Sequence, residues 1–219
     1  MAADKRQVFI AGATGYMGQR LAVELARRGH AVAGLVRGGS ERKLPQSCTP
    51  VIGNALDAIT FRDKIGGAGT FVQLVGVAHP SPTKARQFRE IDLVSCEQSV
   101  AAAVANRVKH FVYVSVAHPA PMMHAYIEVR SKCEAMIRDA ELNATILRPW
   151  YVLGPGHYWP YLLVPGYWLA RQIPSMREGS LRLGLVTLQQ MLTALVQAVE
   201  TPTTGIRIVE VPEIAKSKP

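Results

Sequence analysis

Short apolar runs, several rich in β-branched residues, alternate along this chain with stretches whose apolar positions recur every three or four residues. The runs Val8–Ala11, Ala31–Val36, Pro50–Ile52, Phe71–Val77, "HFVYVSV" (110–116) and "ATILRP" (144–149) predict strands. Between them, Tyr16–Arg28 predicts a helix that Gly29 ends, Lys84–Arg107 a long alanine-rich helix, and Ala125–Ala140 another. Strands that stay apolar at successive positions need cover on both faces, which helices in the connections supply. Right-handed crossovers then make the expected fold α/β, a doubly wound parallel sheet.

The pattern changes after Pro149. "WYVLGPGHYWPYLLVPGYWLARQIP" holds all 3 tryptophans and many prolines, and predicts loop and short helix. Thr187–Glu200 regains helical spacing, and Ile206–Val211 predicts a last strand. The organisation expected is one domain: a core over residues 1–149, completed by a smaller substrate-side region over 150–219.

Composition narrows the classes. The chain has 219 residues, 48% hydrophobic and 19% charged, which suits one globular core. No apolar stretch reaches the ~20 residues needed to span a bilayer, and the start has no leader pattern. The 3 cysteines, Cys48, Cys96 and Cys133, lack metal-ligand spacing, so reduced thiols and a cytoplasmic location are expected. The net charge of +9 is scattered, with no basic run interleaved with aromatics, which argues against nucleic acid as the main partner. A basic surface equally suits an anionic small molecule.

The candidate chemistry starts at "VFIAGATGYMGQRL", where Gly12, Gly15 and Gly18 follow a strand and open a helix. Helix N-termini present free N–H groups and a positive dipole end, and glycines let a pyrophosphate approach them. The spacing, G-x-x-G-x-x-G, is one residue longer than the six-position dinucleotide fingerprint. A tight turn with no ligand is the alternative. The second strand ends at Arg37, where an acidic residue would bond the 2′-hydroxyl of NAD. A guanidinium suits a 2′-phosphate, with Arg42 and Lys43 close by, so NADP(H) is the expected cofactor. The alternative is a solvated loop cation.

With "GATGYMG", "HFVYVSVA", "AYIEVRSKCEAMIRDAELNATILRPW" and "GLVTLQQMLTALVQAVE", the sequence resembles the short-chain dehydrogenase/reductase superfamily over nearly its whole length. It is most similar to the atypical NAD(P)H-binding branch that includes NmrA-like regulators and complex I accessory-subunit relatives. The resemblance implies a Rossmann-like sheet and a catalytic serine at the end of the fifth strand, matched by Ser115. It also implies a Tyr-x-x-x-Lys pair on the next helix, matched by Tyr126 but with Arg130 at the lysine position. Arg130 could supply positive charge and bond the ribose, but it cannot pass protons along a relay. Blander roles stay open: Ser115 satisfying backbone, Tyr126 covering the sheet edge, and Arg130 pairing with Glu134 one turn along.

The resemblance further implies cofactor contacts at Gly12, Thr14, Gly15, Tyr16, Met17 and Gly18. It adds Asp57 of "NALD" near adenine, Val75, Gly76 and Val77 beside the adenosine ribose, and Pro149, Trp150 and Val152 beside the nicotinamide. His79 and His118 follow strands on that side but precede prolines and read as loop residues. No metal site is expected. Trp150, Tyr151, Tyr158, Trp159, Tyr161, Tyr167 and Trp168 could form a flat apolar pocket for an aromatic or quinone-like substrate, an ordinary mini-core, or a patch for a partner. Pro165 and Gly166 argue against a membrane-lying helix. Two functions follow: an NADPH-dependent oxidoreductase, or a protein that binds NADP(H) without turnover as a redox sensor or assembly factor.

Overall fold

The computed structural model describes residues 5–155, 179 and 182–217. Its centre is a parallel sheet of seven strands in the order β3-β2-β1-β4-β5-β6-β9. These strands are β1 (Gln7–Ala11), β2 (Ala31–Val36), β3 (Thr49–Ile52), β4 (Thr70–Gln73), β5 (His110–Val114), β6 (Ala144–Arg148) and β9 (Ile206–Glu210). The order reverses between β1 and β4, and such a switch opens a crevice at the carboxyl ends of the strands. β7 (Tyr151–Leu153) and β8 (Leu185–Thr187) pair in a separate two-stranded parallel sheet. The chain is therefore a Rossmann-like α/β protein, and its last strand joins the main sheet beside β6.

Helices cover both faces, as continuous apolar strands require. On one side α1 (Tyr16–Arg27) and α5 (Leu188–Glu200) bury Leu21, Leu25, Met191 and Leu195 against Val8, Ile10, Val72 and Val112. On the other, α3 (Val94–Ala105) and α4 (His124–Asp139) bury Cys96, Val100, Cys133 and Ile137 against Phe9, Phe71, Phe111 and Ile146. Strand residues alternate between the two cores with the period of the pleat.

Register aligns Phe9 with Phe71 and Phe71 with Phe111. Their rings contact at 5.1 and 5.3 Å between centroids, and Phe61 extends the row at 6.0 Å from Phe9. Such pairs add to the burial of large rings and tie the switch-point strands together.

Local chemistry sets the ends of elements. Gly29, at φ +88°, takes the left-handed turn after α1. Thr187 caps α5 in a capping box with Gln190, so the predicted helix starts one residue later, at Leu188. The long helix expected over 84–107 is heterogeneous: a 3-10 turn Pro82–Lys84, a single turn α2 (Ala85–Gln87), a π-helical segment Phe88–Leu93, then α3. A short helix α6 (Val211–Ile214) follows β9.

The fourth strand is shorter than the apolar run predicts and ends at Gln73. Leu74 N–H still donates to Ala11, but Val75 N–H turns to the Gln73 amide oxygen and Val77 N–H to the Asp92 carboxylate. Side chains satisfy the backbone here in place of a neighbouring strand, which frees residues 75–77 from the ladder.

Candidate functional site

The three glycines of the first turn do different jobs. Gly12 sits at φ +88°, and a Cβ there would lie 2.9 Å from the carbonyl carbon of Leu74. A Cβ on Gly18 would lie 2.1 Å from the Gly12 oxygen, so the helix could not pack on the turn. Gly15 is different: its φ is an ordinary −80°, it is exposed, and the nearest atom to an added Cβ is the Gly12 oxygen at 3.2 Å. The fold needs Gly12 and Gly18; it places no comparable demand on Gly15.

Gly15 is also the N-cap of α1, with no side chain capping the helix and no acidic residue in its first turn. The first N–H groups of a 12-residue helix thus face the crevice with their positive dipole end uncovered. A bare cradle of this kind fits a pyrophosphate. Thr14, Tyr16 and Met17 line the same turn and are partly buried.

Arg37 follows β2 directly and is exposed. Ser40 N–H donates to its carbonyl, closing a turn in which Gly38 and Gly39 leave open space. The carboxylate of this loop, Glu41, accepts from Gly39 N–H. Among the described residues no ion pair engages Arg37. Asp57 caps the short turn Ala58–Thr60 by accepting from Ile59 N–H, at the edge where β3 ends.

The deepest charges lie where β4 and β5 end. Arg130 on α4 is buried, and its Nη2 donates to Asp92 at 2.6 Å. Its Nη1 donates to the Tyr113 hydroxyl at 3.1 Å and to the Val114 carbonyl at 2.9 Å. The guanidinium lies 5.0 Å from the Tyr126 ring centre, in cation–π range. Burial opposes its charge, but the oxygens of Tyr113, Tyr126 and Asp92 outweigh it and raise its pKa well above the ordinary value. This overturns the sequence-based pairing with Glu134: helix geometry permits that pair, but Asp92 takes the guanidinium instead.

Asp92 comes from the π-helical segment, where the wider turn occurs, as such segments often do, beside functional groups. Its other oxygen accepts from Val77 N–H at 2.9 Å. Burial raises the Asp92 pKa, with Arg130 pulling the other way. The pair closes on position 76: a Cβ there would lie 2.4 Å from Arg130 Nη2 and 3.0 Å from the Asp92 carboxylate, and the pair would have to shift to admit it. Gly76 is exposed, so bare backbone faces the crevice directly above a buried ion pair.

Tyr126 packs on Phe88 at 4.8 Å between ring centres. Burial raises the pKa of its hydroxyl, although Arg130 acts to lower it. Ser115 is buried after β5 and donates to Glu134 at 2.7 Å. Glu134 also receives Arg148 through two bonds and Arg138 through one, and His118 stands 3.6 Å away. Burial works against the Glu134 charge, yet Arg148 and Ser115 win and lower its pKa. The Ser115 proton is committed to this carboxylate.

Position 149 accepts from Ala117 N–H, and Trp150 packs its ring on Tyr151 edge-on at 5.5 Å. Val152 belongs to β7. Tyr158, Trp159, Tyr161, Tyr167 and Trp168 lie outside the described residues. Among the described residues no group of His, Cys, Asp or Glu could hold a metal, and no helix is long and apolar enough to cross a membrane.

Asp92 is absent from the sequence-based candidates, and Glu134 enters them only as a partner for Arg130. Spacing carried a signal for both: Phe88, Asp92 and Cys96 recur every four residues, and Arg130, Cys133, Glu134 and Ile137 share one helix face. A charge placed on a buried face demands a partner.

Comparison with known proteins bears on the family and the fold. Residues 12–156 match the NAD(P)H-binding family. The chain is 28% identical over 212 residues to ceramide reductase of Caulobacter vibrioides, covering 94% of this chain and 65% of that protein, so it spans about two-thirds of that relative's length. It superposes on the Bordetella bronchiseptica enzyme WbmH, solved with NAD+, at a TM-score of 0.70 and 22% identity, over 96% of this chain and 79% of that one. A short-chain dehydrogenase/reductase superfamily protein from Agrobacterium tumefaciens, with bound NAD, gives 0.67 at 16% identity, over 93% and 77%. At these identities the structural likeness shows the fold. The matched segment begins at Gly12 and runs through the ends of β2 to β7, and on that match the chain belongs to the NAD(P)H-binding family.

Proposed function

We propose that this chain is an NADP(H)-dependent reductase that delivers hydride to a small carbonyl or quinone-like acceptor in a reducing, cytoplasmic setting. The observation that carries the cofactor choice is Arg37, exposed and without an ion pair among the described residues, where a carboxylate would select NAD. Its fork suits a 2′-phosphate, and Arg42 and Lys43 add charge on the adjoining turn. The uncapped N-terminus of α1 holds the pyrophosphate, with Gly15 giving it room. Asp57 and the backbone of Val75, Gly76 and Val77 flank the adenosine, and Pro149, Trp150 and Val152 flank the nicotinamide.

When bound, the cofactor supplies a hydride. Tyr126, kept protonated by burial, holds a proton it can give to an oxygen, which suits reduction better than oxidation. Arg130 lies against its ring and stabilises the phenolate left behind. Ser115, with its proton engaged by Glu134, offers lone pairs that can accept from the hydroxyl formed once the carbonyl is reduced. The relation to a ceramide reductase supports the reductive direction; the aromatic composition of residues 150–168 supports a flat apolar acceptor.

A second reading has its own support. Arg130 and Ser115, at two positions of the family's catalytic set, are both engaged by buried carboxylates. A protein so tied could bind NADP(H) as a sensor and turn nothing over. Calorimetric titration with NADPH and NADH, followed by a screen of carbonyls and quinones for NADPH consumption, tests both readings. Replacing Arg37→Asp should weaken NADPH by ~100-fold while leaving NADH within ~3-fold, the scale of a charge-assisted phosphate contact exchanged for a repulsive one. Equal effects on both nucleotides would remove the basis for NADP(H). Consumption lost in Tyr126→Phe supports the reductase; tight binding with no consumption by any acceptor supports the sensor.

A further inference from the structure

The residues placed beside the nicotinamide sit on a segment that the main sheet does not hold. β7 and β8 form a sheet of their own, so among the described residues no strand ladder ties Trp150 or Val152 to the strands around the glycine turn. Ala117 N–H donates to Pro149, and that bond anchors the segment at one end. At the other end stands Gly154, buried directly after β7. A Cβ on Gly154 would lie 2.4 Å from the Tyr16 hydroxyl oxygen and 3.0 Å from the Leu188 Cβ. Its φ lies outside the left-handed region, so what the missing side chain supplies here is room.

Tyr16 is the first residue of α1 and follows Gly15, so it belongs to the cradle as well. Arg20, one turn along, braces it twice. The guanidinium lies over the ring at 4.4 Å, and its Nη1 donates to the Tyr16 carbonyl at 2.7 Å. The hydroxyl at the tip is shielded from solvent. One braced side chain thus reaches from the helix end to the far end of β7. From this geometry we infer that Tyr16 is a positioning residue: its hydroxyl, seated against Gly154, sets the distance of β7 from the cradle and so places Trp150 and Val152 relative to the pyrophosphate. The inference rests on the proposed seats of the pyrophosphate at α1 and of the nicotinamide at residues 149–152.

A dinucleotide is two binding groups on one linker, and a protein gains from both only when their seats are correctly spaced. A displaced β7 should leave the adenosine half bound and forfeit the nicotinamide half. A fault in the fold at large would weaken both halves together. The quantity that separates the two cases is Kd(2′-phospho-ADP-ribose)/Kd(NADPH), since the first ligand lacks only the nicotinamide.

The test is calorimetric titration of wild type, Gly154→Ala, Tyr16→Leu and the double variant Gly154→Ala/Tyr16→Phe with both ligands, after circular dichroism has established folding. Wild type should bind NADPH more tightly than the fragment. Gly154→Ala drives a methyl into the hydroxyl, and Tyr16→Leu withdraws the tip; each should lower the ratio ~10-fold, within the range for residues in direct contact. In the double variant the lost hydroxyl makes room for the methyl and should return the ratio to within ~3-fold of wild type. If Gly154→Ala does not fold, the ratios of Tyr16→Leu and of the double variant still decide the matter. Single variants that keep the wild-type ratio, or a double variant as impaired as Gly154→Ala, overturn the role of Tyr16 and leave the cofactor reading standing. A wild type that binds both ligands equally overturns the nicotinamide seat and the inference with it. A wild type that binds neither overturns the cofactor reading as a whole.

Discussion

The division of labour among Gly12, Gly15 and Gly18 separates folding from binding in a way that three single alanine variants can read. In Gly18→Ala the new methyl meets backbone, the Gly12 oxygen at 2.1 Å and the Ala13 Cα at 2.9 Å, so no rotamer change relieves it. Displacing the helix from the turn should cost about 3 kcal/mol, the upper end for an overpacked site. Gly12→Ala adds a left-handed φ to a 2.9 Å approach and should cost about 2 kcal/mol or more. In Gly15→Ala the methyl needs the Gly12 oxygen to give by a few tenths of an ångström at most, and φ is unstrained. The poorer N-cap and the gain from a stiffer unfolded chain are each within about 1 kcal/mol and opposed, so net stability should change by less than about 1 kcal/mol. The same methyl would stand where a pyrophosphate must approach the N–H groups of α1. Loss of even part of that contact should weaken NADPH at least ~30-fold, about 2 kcal/mol. Urea unfolding gives the three stabilities, and calorimetry gives the affinity of Gly15→Ala. A Gly15→Ala protein that is stable and binds NADPH as tightly as wild type would refute the cradle. A Gly18→Ala protein of wild-type stability would refute the packing argument.

His110 is buried in β5 beside Thr145, and burial lowers its pKa to about 4. With an ordinary value of 6.5 in the unfolded chain, the unfolded state takes up the proton first. Its contribution is therefore full above pH 6.5 and drains as pH falls towards 4, by about 3 kcal/mol in all; urea unfolding across this window should show the loss, and His110→Gln should flatten it. Glu134→Gln leaves Arg148 and Arg138 facing a neutral amide and should cost about 3 kcal/mol in the same assay at pH 7, well beyond a surface substitution. Because the Glu134 pKa is lowered in the fold, that gap between wild type and variant should persist at neutral pH and close as acid protonates the carboxylate. Phe71→Ala removes the middle ring of the row between Phe9 and Phe111 and should cost about 3–5 kcal/mol, read as a lower urea midpoint with little change in slope.

Legibility in the sequence followed the physics that produced each feature. Strands such as Phe111–Val114 and Ile146–Leu147 are apolar at every position because both faces are covered, and an unbroken apolar run is visible without coordinates. The glycine turn was legible too, since its spacing records a backbone need. What spacing alone does not reveal is which glycine the fold requires; only neighbouring atoms separate Gly15 from Gly18. The end of β4 is hidden from the sequence for a related reason. Leu74 to Val77 are as apolar as a strand, and the strand stops because two side chains far apart in sequence, Gln73 and Asp92, take over the N–H groups.

The charges around α4 show the deeper limit. Arg130 has carboxylates at two candidate places, one four residues along its own helix and one 38 residues away, and local reasoning favours the near one. The distant partner wins because the near one is engaged by Arg148, itself on β6, so the pairing of each charge depends on that of the other. A buried carboxylate without a cation would be costly, and here neither is stranded, since Asp92 has Arg130 and Glu134 has Arg148 and Arg138. That arrangement places Arg130 beneath Gly76 and Ser115 on Glu134, which commits a hydrogen-bonding group of each to a carboxylate. On the reductase reading proposed above, the site therefore depends on the two carboxylates that hold the arginine and the serine as much as on the arginine itself.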